Sequence, residues 1–292
     1  MPFGQVIIGP PGSGKSSYCS GLQQILHSIN RRCIFINMDP ANDPLPYECQ
    51  INIRTFYSLE TIMETENLGP NGALIRALEL LEKNHLDDFI PLFSEDQEQP
   101  YYVFDCPGQI ELFTNHFSLR NILHKFIAKH DFRLVSVHLT DLTLCIEPSK
   151  FVAAQVLALR SMMLLECPHV NVLTKVDLAQ TFHLPHPLEF YCEAKHLDLE
   201  DKVPAKYSKL YSALVGLVED VGLIRFVPLA VEDKEAVLFL LGEIDRANGL
   251  VFDGIDGEEG TNEGINQVAM GQKTWDDLLA LMNERYFKPT PE

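Results

Sequence analysis

Positive charge is scarce in this chain: 23 Lys and Arg stand against 41 Asp and Glu, a formal net charge of −18. Phosphate backbones and anionic bilayers attract Lys/Arg-rich faces, so this balance argues against direct nucleic-acid or membrane binding and for protein partners that offer basic patches. No apolar run reaches the about 18 residues of a membrane span, and no signal-peptide pattern is present. Seven cysteines (Cys19, Cys33, Cys49, Cys106, Cys145, Cys167, Cys192) include no Cys-x-x-Cys pair. A reduced intracellular compartment is therefore expected, with inert core-filling thiols, Cys106 among them. His183, His186 and His196 lack the spacing of a zinc site. No sequence repeat is visible. What remains is a globular chain of 292 residues whose 46% hydrophobic content supports a sizeable core.

Gly9-Pro10-Pro11-Gly12-Ser13-Gly14-Lys15-Ser16 matches the phosphate-binding pattern G-x-x-x-x-G-K-[S/T] at every fixed position. Its glycines let backbone N–H groups converge on phosphates, Lys15 reaches the β- and γ-phosphates, and the Ser16 hydroxyl suits Mg²⁺. The required context is there: the apolar run Val6-Ile7-Ile8 precedes the loop, and the helical pattern Tyr18, Leu22, Ile25, Leu26 follows it. Gly12, Ser13, Gly14, Lys15, Ser16 and Ser17 are the expected nucleotide contacts. Further along, strands are predicted over 33–38, 101–104, 134–139, 169–173 and 224–229. Helices are predicted over 58–66 (opened by Ser58), 72–83, 116–130, 148–166 and 206–221, with a last core helix stopping at Asn248-Gly249. The alternation predicts an α/β fold: one predominantly parallel sheet with helices on both faces. The turn Gly69-Pro70-Asn71-Gly72 reads from composition as a helix connector. The acidic stretch 85–100 reads as a solvated helix end and loop, and 252–265 as an acidic, Gly-rich tether. Beyond the tether, Thr274 caps an amphipathic helix bearing Trp275, Leu278, Leu279, Met282 and Tyr286, suited to docking.

Three strand ends carry polar motifs in a fixed order: the loop 9–16, Asp105-x-x-Gly108, and Thr174-Lys175-x-Asp177. In parallel α/β sheets ligands gather at the carboxyl ends of the strands, which also places Asp39 near the phosphates. An Asp at such an end can hold the metal, and the Gly108 N–H can sense the γ-phosphate. The Asp177 carboxylate can accept from guanine N1–H and the exocyclic amine, with Lys175 over the base. This is the order of motifs in GTPases. A nucleotide-kinase reading shares the loop but needs an arginine-rich lid, and neither 85–100 nor 178–202 contains arginine. A nucleotide-dependent adaptor that binds GTP without useful hydrolysis stays open.

With these residues in view the chain resembles the GPN-loop GTPases, most like the second paralogue of the eukaryotic set. The resemblance spans about residues 3–250 and rests on Phe3-Gly4-Gln5, the loop 9–16, Met38-Asp39-Pro40-Ala41-Asn42-Asp43, Leu45-Pro46-Tyr47-Glu48, Leu68-Gly69-Pro70-Asn71-Gly72, Asp105-Cys106-Pro107-Gly108-Gln109-Ile110-Glu111-Leu112-Phe113, and Asp245-Arg246-Ala247-Asn248-Gly249. It implies a P-loop NTPase of the dimerising, SIMIBI-type G-domain class over 1–250, with a helical GPN-loop insertion over about 54–100, and a separate tail over 251–292. In this class Gly69-Pro70-Asn71 carries Asn71 into the phosphate region, so the connector reading gives way to the resemblance. GTP as substrate, GDP as product and Mg²⁺ as cofactor are implied. Expected metal-site residues are Ser16, Asp39 and Asp105; expected catalytic residues are Asp39, Gln109, Glu111 and Asn71; Thr174, Lys175, Asp177 and Gly108 complete the nucleotide site. The resemblance further implies sister GPN-loop GTPases and RNA polymerase II subunits or assembly factors as partners, in the cytoplasm with shuttling to the nucleus. Ala73 stands where relatives often have a second glycine, and Thr174 replaces the Asn of many GTPases.

Overall fold

The computed structural model describes residues 1–86, 100–182, 184–195, 203–250 and 274–287. The expected acidic loop around Asp87, Asp88, Glu95, Asp96 and Glu98, the expected tether over 252–265, and His183 and His196 lie outside the described residues. The elements are β1 (Phe3–Ile8), α1 (Lys15–Ser28), β2 (Cys33–Asn37), β3 (Ile51–Asn52), α2 (Leu59–Glu66), α3 (Pro70–Leu80), β4 (Tyr101–Asp105), α4 (Glu111–Thr114), α5 (Ser118–His130), β5 (Arg133–Asp141), α6 (Pro148–Leu165), β6 (His169–Thr174), α7 (Leu188–Cys192), α8 (Ser208–Val221), β7 (Phe226–Leu229), α9 (Lys234–Ala247) and α10 (Trp275–Tyr286). No described helix is long and apolar enough to cross a membrane.

The seven strands form one sheet in the order β3-β2-β4-β1-β5-β6-β7, with every described pairing parallel. β1 is buried at every position. Its side chains alternate between two cores, as a pleated strand requires. Ile7 joins Tyr18, Leu22 and Leu26 of α1 and Leu240 and Ile244 of α9 on one face. Val6 and Ile8 join Leu74 and Leu78 of α3 and Ile122 and Phe126 of α5 on the other. The helices therefore lie on both faces, as the alternation predicts.

Boundaries depart from the sequence expectation where local chemistry acts early. α3 begins at Pro70 and not at Gly72, because proline at the first helical position needs no N–H partner. After Leu80 the chain continues as a π-helical turn over Leu81–His85. β3, a strand of two residues, and α7, a helix of five, were too short to give a periodic signal. Thr274 caps α10 through a reciprocal bond pair with Asp277, a capping box.

Register fixes which residues reach the carboxyl edge. Ile7 pairs with both Asp105 and Val137, Asn37 with Asp105, and Thr174 with both Asp141 and Leu229. The loops after β1, β2, β4, β5, β6 and β7 thus emerge side by side along one edge of the sheet, around the central β1.

Candidate nucleotide site

The loop after β1 turns into α1 through Gly14, whose φ of +93° is a left-handed conformation that a side chain would strain. Lys15 is buried, and its Nζ donates to the carbonyls of Gly9 (3.0 Å) and Pro10 (3.1 Å). Burial lowers its pKa against the opposing pull of the Asp105 and Asp39 charges. The Ser13 hydroxyl is buried with no hydrogen-bond partner among the described residues.

Asp105, closing β4, is a hydrogen-bond hub beside the loop. Its Oδ2 accepts from the Ser16 hydroxyl (3.1 Å), the Tyr47 hydroxyl (2.9 Å) and Asn42 Nδ2 (3.3 Å). Asn42 Nδ2 also donates to Ser16 Oγ at 2.9 Å. Burial raises the Asp105 pKa to about 6, against the lowering effect of the Tyr47 bond and Lys15. Asp39 is likewise raised by burial, opposed by its bond from Ala41 N–H and by Lys15. Its backbone is clamped by Asn37, which accepts from Asp39 N and donates to Asp39 O, each at 3.0 Å. Ser16, Asp39 and Asp105 are therefore brought to one corner beside the loop.

The segment after Asp105 closes onto the same loop. A Cβ on Gly108 would stand 2.8 Å from Lys15 Nζ and 3.2 Å from Pro11 Cα, so glycine is what permits this approach. Next to it, Gln109 Oε1 is buried and unpartnered among the described residues, and such an acceptor costs about 1–3 kcal/mol unless something donates to it. Glu111 is exposed at the first position of α4. Ser17 occupies the exposed side of the first turn of α1.

On the base side, Thr174 is buried and its hydroxyl hydrogen bonds to Ser13 O (2.9 Å) and Thr140 O (3.1 Å), pinning the phosphate loop to β5 and β6. Lys175 adopts φ +63° and pairs with Asp141 at 2.6 Å. Asp177 is exposed just beyond, at the start of a 3-10 turn over Val176–Thr181. Gly69, Pro70 and Asn71 stand at the exposed N-terminal end of α3, where Asn71 makes no side-chain hydrogen bond among the described residues. Within one chain, Asn71 is thus not bonded to the phosphate loop.

Sequence reasoning gave no role to Asn37, Asn42, Tyr47 or Asp141. Tyr47 and Asn42 lie 58 and 63 residues from Asp105, so no local pattern links them to it. Both sit in the segments 38–43 and 45–48 that carry the resemblance, directly after β2, but nothing there assigns them a partner.

The profile of a family described as "conserved hypothetical ATP binding protein" matches residues 7–250. The chain is 46% identical over 264 residues to GPN-loop GTPase 2 of Saccharomyces cerevisiae, covering 86% of this chain and 76% of that one. It is 41% identical over 296 residues to GPN-loop GTPase QQT1 of Arabidopsis thaliana, covering 99% and 98%. Among solved structures it is similar to a Pyrococcus abyssi GTPase crystallised in its apo form, with a TM-score of 0.65 and 23% identity over 84% of this chain and 97% of that one. At that identity the likeness shows a shared fold.

Proposed function

Because the chain belongs to the GPN-loop GTPase family, we propose that it binds GTP at the carboxyl edge of its sheet and hydrolyses it to GDP and phosphate. The observation that carries this reading is the convergence, on one edge, of the loop 9–16, the Asp105 hub and the Thr174–Asp177 segment. One buried and one half-buried carboxylate with a hydroxyl in one corner form a hard-oxygen donor set that fits Mg²⁺, with Ser16, Asp105 and Asp39 as the residues that would hold it. When bound, Mg²⁺ neutralises charge on the phosphate oxygens.

The chain's own residues divide the remaining work. Lys15 and the loop N–H groups hold the phosphates, while Asp177 selects guanine by accepting from N1–H and the exocyclic amine, groups that adenine does not offer. Gln109, directly after Gly108 on the segment that closes onto the phosphate loop, is our candidate for orienting a water in line with the γ-phosphate. Asp39, a half-buried carboxylate whose pKa burial raises, suits proton acceptance, and Glu111 is a second carboxylate on the segment after Gly108. Asn71, exposed at the start of α3, suits delivery to a facing subunit, so the working form is a dimer with a second copy or a sister protein. The acidic balance suits a basic protein partner, and the family resemblance points to RNA polymerase II subunits or assembly factors, met in the cytoplasm on the way to the nucleus.

Two measurements test the reading. Wild-type affinity for GTP should exceed that for ATP, and Asp177→Asn should cost about 1.5–3 kcal/mol of GTP affinity and turn preference toward xanthine nucleotides. Equal wild-type affinity for ATP and GTP would defeat it. In single turnover, Gln109→Leu, Glu111→Ala and Asp39→Ala should each slow hydrolysis by about 10–1,000-fold while holding GTP affinity within about tenfold. If all three hydrolyse at the wild-type rate, catalysis does not run through these residues; absence of turnover in the wild type itself would leave a nucleotide-dependent adaptor.

A further inference from the structure

α10 lies far along the chain from every nucleotide motif, yet it ends against the base side of the site. Its apolar face, Leu278, Leu279 and Met282, is buried in the same core as β6 and α9. At its first turn the guanidinium of Arg225, just before β7, stacks 3.5 Å above the Trp275 ring. At its last turn Arg285 pairs with Asp233 and, at 3.0 Å, with Glu235, just after β7. The helix therefore runs the length of β7, from the amino end of the sheet to the carboxyl end, and a helix of 12 residues spans the about 18 Å this needs.

The Arg285 contacts fall on the segments that follow β6 and β7. Asp233 is buried and divided between two tasks: Oδ1 caps α9 by accepting from the Glu235 and Ala236 N–H groups, and Oδ2 takes Arg285. This fixes the loop after β7, which leaves the sheet where Leu229 pairs with Thr174. From the other side, Gln180 Nε2 donates to the Arg285 carbonyl at 3.3 Å, holding the turn that carries Asp177. Tyr286 follows directly, close enough to Asp177 to feel its charge.

We infer that Arg285 is a positioning residue for guanine selection: through α10 it ties the Asp177 turn to the loop after β7, so docking of this helix and recognition of the base are coupled. The inference rests on the reading of Asp177 as the guanine acceptor. An exposed carboxylate on a short 3-10 turn discriminates only if the turn is held, and rigidity here comes from a helix outside the motif-bearing region.

The test uses the full chain and compares affinities for GDP and ADP by titration calorimetry. Arg285→Ala should weaken GDP by about tenfold and leave ADP within about twofold, so that the GDP-to-ADP preference falls. Arg285→Lys, which keeps the charge, should recover part of that preference. Asn283→Ala removes a bond to Glu189 on α7 that reaches neither base loop; it should lower the melting temperature and leave the preference unchanged. Gln180→Ala serves if Arg285→Ala does not fold, and should lower the preference in the same direction. Equal losses for GDP and ADP, or no loss, would overturn the inference while a wild-type preference for GDP keeps the parent reading. Absence of that wild-type preference would overturn both.

Discussion

The two ends of the central sheet each bury charge, and they treat it in opposite ways. At the amino end, between β2, β4 and α9, Arg31 and Asp245 meet in a two-pronged pair at 2.7 and 3.0 Å, with the guanidinium 3.9 Å above the Tyr101 ring. Both side chains are nearly inaccessible, at 8% and 1% exposure. Each charge has its match, and nothing is left for a ligand. At the carboxyl end Lys15 and Asp105 are also buried, but the ammonium spends its hydrogen bonds on backbone carbonyls and Asp105, among the described residues, gathers neutral donors. Fold architecture needs closed pairs; a site for a charged ligand needs buried charges whose best partner comes from outside.

Breaking the closed pair should have the largest effect. Asp245→Ala leaves Arg31 buried and unmatched and should cost about 3–5 kcal/mol in urea unfolding of the nucleotide-free protein. Nucleotide affinity of the folded fraction should be unchanged, because the pair is at the far end of the sheet. Lys15→Ala should show the reverse pattern. It removes a desolvated cation with no ion-pair partner among the described residues, so nucleotide-free stability should stay within about 1 kcal/mol of wild type, while nucleotide affinity falls by about 10–100-fold. A sharp loss of nucleotide-free stability, with nucleotide still fully stabilising, would erase the contrast between the ends.

The smallest effect sharpens the comparison through pH. The Asp105 pKa rises from 3.8 to about 6 on folding, chiefly by burial. A carboxyl raised by folding holds its proton more tightly in the native state, so its contribution to stability is fully present below about pH 4 and is lost as pH rises through about 6. Between about pH 7 and about pH 5 the nucleotide-free wild type should gain about 1 kcal/mol over Asp105→Asn, read as the difference of their urea midpoints. Mg²⁺-dependent nucleotide binding should weaken over the same interval as Asp105 takes its proton.

Much of the carboxyl end was legible in the sequence because its parts are local. The loop 9–16, Asp105 to Gly108 and Thr174 to Asp177 are each contiguous, and each follows an apolar run that can only be a buried strand. The amino end was not legible, since Arg31 and Asp245 are 214 residues apart and neither carries a signal alone. The same limit hid Tyr47 and Asn42 from Asp105. Composition reads Gly69-Pro70-Asn71 as a connector, and the turn does join α2 to α3; a Gly-Pro pair opening a helix looks the same whatever its third residue does. The C-terminal helix was visible through the Thr274 cap and its apolar stripe, but the place where Arg285 lands depends on packing that no periodicity encodes.

The span between Arg31 and Asp245 also sets a timetable. Chains emerge at about 5–20 residues per second, so Arg31 leaves the ribosome about 10–40 s before the residue that neutralises it. Through that interval β1, β2 and β4 can assemble with the phosphate loop, yet the amino end of their sheet carries a cation with no burial site it can occupy cheaply. The two ends of the sheet are thus completed at different times, and the amino end closes only when α9 has been made.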